Sequence, residues 1–187
     1  MKNLFLLVAS IILLIGCQKQ KEPTDNLYAF KEYVNYTTSG VVSVTEKITI
    51  NLGKEIDAIK DGYAINPKTF EISPSVDGDL KMLNKHSFQF IPKENLKSDT
   101  EYTVTVKLRD LYVAIPKGLY SYTFQFKTIK PNFSIQANVL QSYSSEWQYV
   151  EGVLKSADII SLEDAKKLIS ASQGDQSRRI VFDESNA

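Results

Sequence analysis

Reactive side chains do chemistry in company, and this 187-residue chain holds few candidates: its only thiol is Cys17 and its only imidazole is His86. One cysteine closes no intramolecular disulfide, and one cysteine with one histidine cannot build a Cys/His zinc site. His86 stands at the expected start of a strand with no Ser, Cys or acidic residue in a triad-like pattern around it. A general base needs a partner to orient it, so His86 reads as a surface or strand-edge residue. Asp77-Gly78-Asp79 suggests a calcium loop, but the further acidic ligands and the closing Glu are missing, and it reads as a β-turn. Arg178-Arg179 is too short a basic run for a nucleic-acid patch and reads as a strand-edge pair. Gly152 belongs to no phosphate-binding glycine pattern. The expectation is a non-enzyme with no catalytic residue, no metal site and no cofactor.

Two aromatic groups are candidates for binding. Tyr28, Phe30, Tyr33 and Tyr36 either pack over the edge of the body that follows them or form an exposed patch for a sugar or a protein partner, with packing the favoured reading. Tyr143, Trp147 and Tyr149 carry the same two readings. Trp147 and Tyr149 share their parity with Val153, which points that group toward a core.

The setting of Cys17 is more informative than its isolation. Met1-Lys2-Asn3 is a short positive start, and Leu4 to Ile15 is an apolar run broken only by Ser10. A permanent span needs about 20 apolar residues, so the run reads as the apolar region of a signal peptide. It closes on Leu14-Ile15-Gly16-Cys17, which resembles the bacterial lipobox. The resemblance implies cleavage before Cys17, a diacylglycerol on its thiol and a fatty acyl group, such as palmitate, on its new amine. Two or three chains hold a protein stably at a bilayer where one does not. Gln18, rather than Asp, at the next position favours the outer membrane by resemblance to enterobacterial sorting. The stretch Gln18 to Glu22 supplies one acid only, which favours the periplasmic face over the cell surface. "NYT" at Asn35 and "NFS" at Asn132 fit the N-glycosylation pattern, and behind a bacterial leader both read as coincidence.

Charge narrows the partners. Lys and Arg balance Asp and Glu, 22 against 22, and loss of the leader removes only Lys2. No nucleic-acid footprint or polybasic membrane patch is expected.

The elements that must carry any site are β-strands. Nineteen Tyr and Phe residues against two Met lean that way. Val42, Val44, Ile48, Ile50 and Leu52 share one parity, with a turn at Glu46. Phe70 and Ile72, then Phe88 and Phe90, then Tyr102 to Leu108, then Tyr120 to Phe126 continue the period of two. Each run is apolar on one face and polar on the other, as in half-buried antiparallel strands. About seven strands in this stretch imply a β-sandwich. The expected division is a leader over 1–17, a polar tether over 18–37, a sandwich over 38–130 and a second unit over 131–187. In the second unit, Phe133 to Val139 alternate as a strand, Trp147 to Val153 as another, and "SRRIVFDES" opens a third. Between them Ser161 caps a short helix whose Leu162, Ala165, Leu168 and Ile169 form an apolar face. Glu163 and Asp164 in its first turn and Lys166 and Lys167 near its end suit the helix dipole.

The run "FQFIPKENLKSDTEYTVTVKLRDL" with "YTFQFKT" resembles a bacterial Ig-like domain, at Phe88, Phe90, Pro92, Leu96, Thr100, Tyr102, Val104, Thr105, Val106, Leu111, Tyr122, Phe124, Phe126 and Thr128. Upstream, Ser73-Pro74, Val76 and Gly78 agree with the same pattern, while Leu83 replaces its usual aromatic. A lipobox, a tether, an Ig-like domain and then Gly152, Val153, Leu154, Ser156, Ala157 and Asp158 before a short helix resemble the N-terminal end of bacterial α2-macroglobulin lipoproteins of the Bacteroidota type. The resemblance implies a mainly β chain: an Ig-like antiparallel sandwich, then a partial second macroglobulin-like β domain with one short helix. It implies a membrane-anchored protease trap in the cell envelope, with proteases as targets of the full-length molecule. The bait region and the Cys-x-Glu-Gln thioester motif of such traps are not in this sequence. The expectation is therefore the scaffold at the start of a longer inhibitor. The alternative is a stand-alone envelope lipoprotein that binds glycan or protein through its Ig-like domain.

Overall fold

A computed structural model describes residues 27–57 and 65–183. The leader, Cys17 and the first part of the tether lie outside the described residues. Eight strands build the first body: β1 (Val34–Thr37), β2 (Gly40–Val42), β3 (Ile48–Leu52), β4 (Phe70–Ser73), β5 (Gly78–Asn84), β6 (Ser87–Pro92), β7 (Glu101–Val106) and β8 (Tyr122–Thr128). They form two four-stranded sheets, ordered β1-β3-β6-β5 and β2-β8-β7-β4. All pairings are antiparallel except β2 with β8. This is the strand order of a constant-type Ig sandwich whose first strand is split between the two sheets. The split falls at Thr38 and Ser39, before Gly40, whose φ of 72° carries the chain across.

The core is where the two inner faces meet. Ile48, Ile50, Leu52 and Phe88 from one sheet and Tyr102, Val104 and Val106 from the other are completely or almost completely buried. Phe70 on β4 stacks on Phe90 of β6 across the sheets, with ring centroids 4.7 Å apart and planes 13° apart. Tyr102 and Phe126 stack at 5.3 Å on adjacent strands. Gly78 opens β5 beneath the edge of the Phe90 ring, where a Cβ would lie 2.4 Å from Phe90 Cζ and 2.6 Å from the Ile91 carbonyl oxygen. Tyr102 also accepts the Lys97 N–H on its hydroxyl at 3.0 Å, the tyrosine corner of Ig-like sandwiches. Thr128 closes the same corner from β8. Its hydroxyl donates to the Lys97 carbonyl at 2.6 Å and accepts the Thr100 N–H at 3.0 Å.

The sandwich starts earlier than residue 38. A one-turn helix, α1 (Leu27–Phe30), and β1 belong to it, so the end of the expected tether is folded structure. Phe30 meets Tyr122 edge-on at 5.1 Å, and Tyr33 meets Tyr112 at 5.1 Å. Burying an aromatic side chain contributes roughly 1.5–3 kcal/mol, which holds this segment on the body. β5 is a second addition to the expected strands.

Four residues, Ile129 to Asn132, lead from β8 into the second unit. There β9 (Phe133–Ala137) pairs antiparallel with β12 (Gly152–Ser156), and β10 (Gln141–Ser142) with β11 (Gln148–Tyr149). The two pairings form one long hairpin. Ala137 faces Gly152 and Gln141 faces Tyr149, so the register slips by one residue between them. A helix, α2 (Leu162–Leu168), follows, capped as expected by Ser161, whose hydroxyl oxygen accepts the Asp164 N–H at 3.1 Å. A small hairpin of β13 (Ser172–Gln173) and β14 (Gln176–Ser177) follows, and residues 178–183 form no strand, so the strand expected over "SRRIVFDES" is confined to its first residue. Every residue of β9 is exposed, Ile135 at 58%. The alternation that predicted a half-buried strand therefore marks a face that no element among the described residues covers.

Candidate functional site

Three places gather the residues that the sequence singled out. The first is the N-terminal aromatic segment, which does not form one surface. Phe30 and Tyr33 are buried at 2% and 6% exposure and belong to the core, so neither is available to a partner. Tyr28 and Tyr36 are exposed. Lys31 Nζ sits 4.0 Å from the centre of the Tyr28 ring, and Lys54 Nζ 4.6 Å from that of Tyr33. Lys54 is held by Glu32 at 2.9 Å. The physical reason for the split is packing: Phe30 and Tyr33 gain more from Tyr122 and Tyr112 than from solvent.

The second place is the tip of the long hairpin. Tyr143 and Trp147 are 82% and 74% exposed, which corrects the expected core placement. Parity with Val153 carries no information here, because the register slip intervenes and Val153 is itself exposed. The tip is nonetheless ordered by its own bonds. Tyr143 stacks on Tyr149 at 5.2 Å and 19°. The Tyr149 hydroxyl donates to Gln141 Oε1 at 2.6 Å. The Ser144 hydroxyl oxygen accepts the N–H groups of Glu146 and Trp147. Aromatic faces set among Ser and Gln side chains supply flat apolar contact together with adaptable hydrogen bonding.

The third place is the junction of the two units. Asp158 lies two residues past β12 and receives the Ser43 hydroxyl on Oδ1 at 2.6 Å and the Val44 N–H on Oδ2 at 2.8 Å. Ser43 and Val44 follow directly on β2. Partial burial pushes the Asp158 pKa up, but the bonds from Ser43, Val44 and the Ile159 N–H outweigh it and hold the carboxyl below its ordinary value. Asp158 closes the motif Gly152 to Asp158, while nothing in the sequence marked Ser43 or Val44 as its seat.

The remaining reactive residues stay apart. His86 Nε2 lies 3.9 Å from Glu55 Oε1, and Lys85 Nζ lies 3.7 Å from Glu55 Oε2, all on the surface. Asp77 is not the start of a free turn: its carbonyl accepts the Lys93 N–H at 2.9 Å, and Asp79 lies within β5 opposite Ile91. Arg178 donates twice to Gln173 Oε1 beside the last hairpin, at 3.2 and 2.9 Å. Among the described residues no group of three or more His, Cys, Asp or Glu is placed to hold a metal ion, and no helix is long and apolar enough to cross a membrane. Two surface clefts of about 270 and 230 Å³ lie beside Tyr102 and beside the Phe70–Phe90 stack. Both are smaller than the usual range of small-molecule sites, roughly 300–1,000 Å³.

No family model matches the chain, and no curated protein does. Among solved structures, an L,D-transpeptidase from Mycobacterium tuberculosis H37Rv is 16% identical over 56% of this chain and 42% of its own, with a TM-score of 0.34. L,D-transpeptidase 3 of the same species, in complex with a faropenem-derived adduct, is 16% identical over 56% of this chain and 40% of its own, with a TM-score of 0.34. An L,D-transpeptidase from Mycobacterium smegmatis is 15% identical over 54% and 41%, with a TM-score of 0.36. The chain thus spans about two-fifths of the length of these enzymes. At that identity and TM-score the likeness carries no inference about activity.

Proposed function

We propose that this chain is a non-catalytic, lipid-anchored module from the start of an α2-macroglobulin-like protease inhibitor, in which it is scaffold rather than trap. The observation that carries the reading is the way β units follow one another. A sandwich filled by its own aromatic pairs passes through four residues into a second β unit, and Asp158, the last residue of the motif that carries the resemblance, joins the two. Two β units in series, joined by a short connector and a side-chain contact, support a scaffold role. The lipid on Cys17 would hold the wall to the membrane, and Gln18 to Asn26 would space it from the surface.

The coding sequence is the direct test of the inhibitor reading. It should continue past the codon for Ala187 into further sandwich domains and a bait segment. A stop codon at that point in several isolates refutes it. The anchor has a separate test. Cys17→Ser is expected to leave an uncleaved precursor that takes up no labelled palmitate, and normal cleavage with unchanged membrane fractionation removes the lipobox reading.

A second reading, a free-standing binding lipoprotein, is favoured by one observation: the ordered aromatic hairpin tip with Tyr143 and Trp147 in solvent. It moves the expected binding surface from the Ig-like sandwich to the second unit. A glycan array followed by Trp147→Ala tests it. Specific binding that disappears in the variant supports this reading, and an array with no specific binding sinks it for glycans.

A further inference from the structure

The root of the long hairpin is fastened on both strands to one short piece of the sandwich. β9 is tied by the chain itself: it runs from β8 through Ile129, whose N–H donates to the Val42 carbonyl at 2.9 Å. β12 is tied by Asp158, which takes the hydroxyl of Ser43 and the N–H of Val44. The Ala157 N–H donates to the Asn132 carbonyl at 2.9 Å, so the two strands are also closed on each other at the root. Val42, Ser43 and Val44 are consecutive, and their segment is itself anchored: Val44 is buried, and its carbonyl accepts the Leu96 N–H at 2.8 Å.

From this geometry we propose that Asp158 is a latch that makes the joint between the two units rigid. With one strand fastened, the hairpin would swing about Lys130 and Pro131 as about a single hinge. With both fastened, swinging requires the two Asp158 bonds to break. A carboxylate suits this post because each oxygen takes a different donor, and a charged acceptor makes the stronger kind of hydrogen bond.

The test reads motion in the full chain. Amide exchange at Val44 is expected to rise by about ten-fold or more in Asp158→Ala, while exchange in the central strands β3 and β7 stays as in the wild type. Trp147, the only tryptophan in the sequence, lies near the far end of the hairpin and gives an intrinsic probe of its tumbling. In the wild type its anisotropy should decay mainly with the whole molecule, and in Asp158→Ala the slow amplitude should fall about two-fold. Asp158→Asn keeps an acceptor for the Val44 N–H and its amide can donate to Ser43, but that amide then faces the Ile159 N–H that Oδ1 accepts, so it should restore the wild-type behaviour in part, between Asp158→Ala and the wild type. Ser43→Ala removes one of the two bonds and should fall between, which keeps the test decisive if Asp158→Ala does not fold. Unchanged exchange and anisotropy in folded Asp158→Ala, or in Ser43→Ala if it alone folds, overturns the latch. A wild-type decay dominated by the fast phase overturns it equally.

Discussion

Gly78→Ala tests the packing of the sandwich at the point where it has least room. The backbone at Gly78 does not require glycine by its φ, so the effect of a methyl group is steric. The new Cβ would meet Phe90 Cζ at 2.4 Å, Phe90 Cε2 at 2.8 Å and the Ile91 carbonyl oxygen at 2.6 Å. Carbon pairs rest at about 3.5–4.0 Å, so the ring would have to retreat by about 1 Å. It has little freedom to do so, because Phe70 lies stacked against it at 4.7 Å. The Ile91 oxygen is backbone in the β5–β6 ladder and is no easier to move. Overpacking of this kind costs about 1–3 kcal/mol, and the lower entropy of an unfolded alanine returns about 0.4–1 kcal/mol. The net expectation is a loss of about 1.5 kcal/mol. With an m-value of about 1.2 kcal/mol/M for a domain of this size, the urea midpoint should fall by about 1.2 M with m unchanged. Far-UV circular dichroism is the proper signal, since Trp147 lies outside the sandwich. A midpoint that stays or rises refutes the roofing of Gly78 by Phe90. A Gly78→Ala/Phe90→Leu double variant adds a second check: the smaller side chain should relieve the clash, giving a coupling of at least about 0.5 kcal/mol, and strict additivity would count against the contact.

Three other outcomes are expected. Thr128→Val leaves the Lys97 carbonyl and the Thr100 N–H without their hydroxyl partner at a fully buried position, and should cost about 2 kcal/mol in urea unfolding. Tyr102→Phe removes only the acceptor for the Lys97 N–H, in an exposed residue that water can reach, and should cost about 1 kcal/mol; a loss equal to that of Thr128→Val would contradict this ordering. Tyr112 has its pKa pushed up to about 12, first by burial and then by the charge of Asp57. Its unfolded form releases the proton near pH 10, before the folded form does, so this contribution to stability is complete below pH 10 and drains away as pH rises toward 12. Tyr112→Phe should flatten the fall of the urea midpoint between pH 10 and 12, and an equally steep fall in the variant would sink the assignment.

The sandwich was legible where its strands are buried on one side. β3, β6, β7 and β8 alternate cleanly because one face of each meets the core. β5 was hidden by its ends, since Asp77-Gly78 and Asn84-Lys85 carry turn residues, and as an edge strand it buries Leu80 and Met82 only in part. β1 was hidden by its bulge between Val34 and Tyr36, which breaks the period of two and made a folded strand look like tether. In the second unit the same rule misled in the other direction. Alternation reports that a strand has an apolar face, and it cannot report whether anything lies on that face, so Ile135 and Val153 looked half-buried and are exposed. The junction was legible only from one end. Asp158 belongs to a recognisable motif, but its donors come from Ser43 and Val44, more than a hundred residues away, and nothing local to a β-turn serine marks it as a seat.

The parallel pairing of β2 with β8 has a mechanical meaning. One of these strands lies near the entry of the chain into the sandwich and the other at its exit, and they run side by side in the same direction. Tension applied between the two ends therefore pulls the strands past each other lengthwise. Their hydrogen bonds are loaded together, whereas an antiparallel pair pulled from its open end would release them one at a time. A pull on the two ends would first peel β1 from β3 and then load the β2–β8 pair in this resistant direction, as a seam in shear.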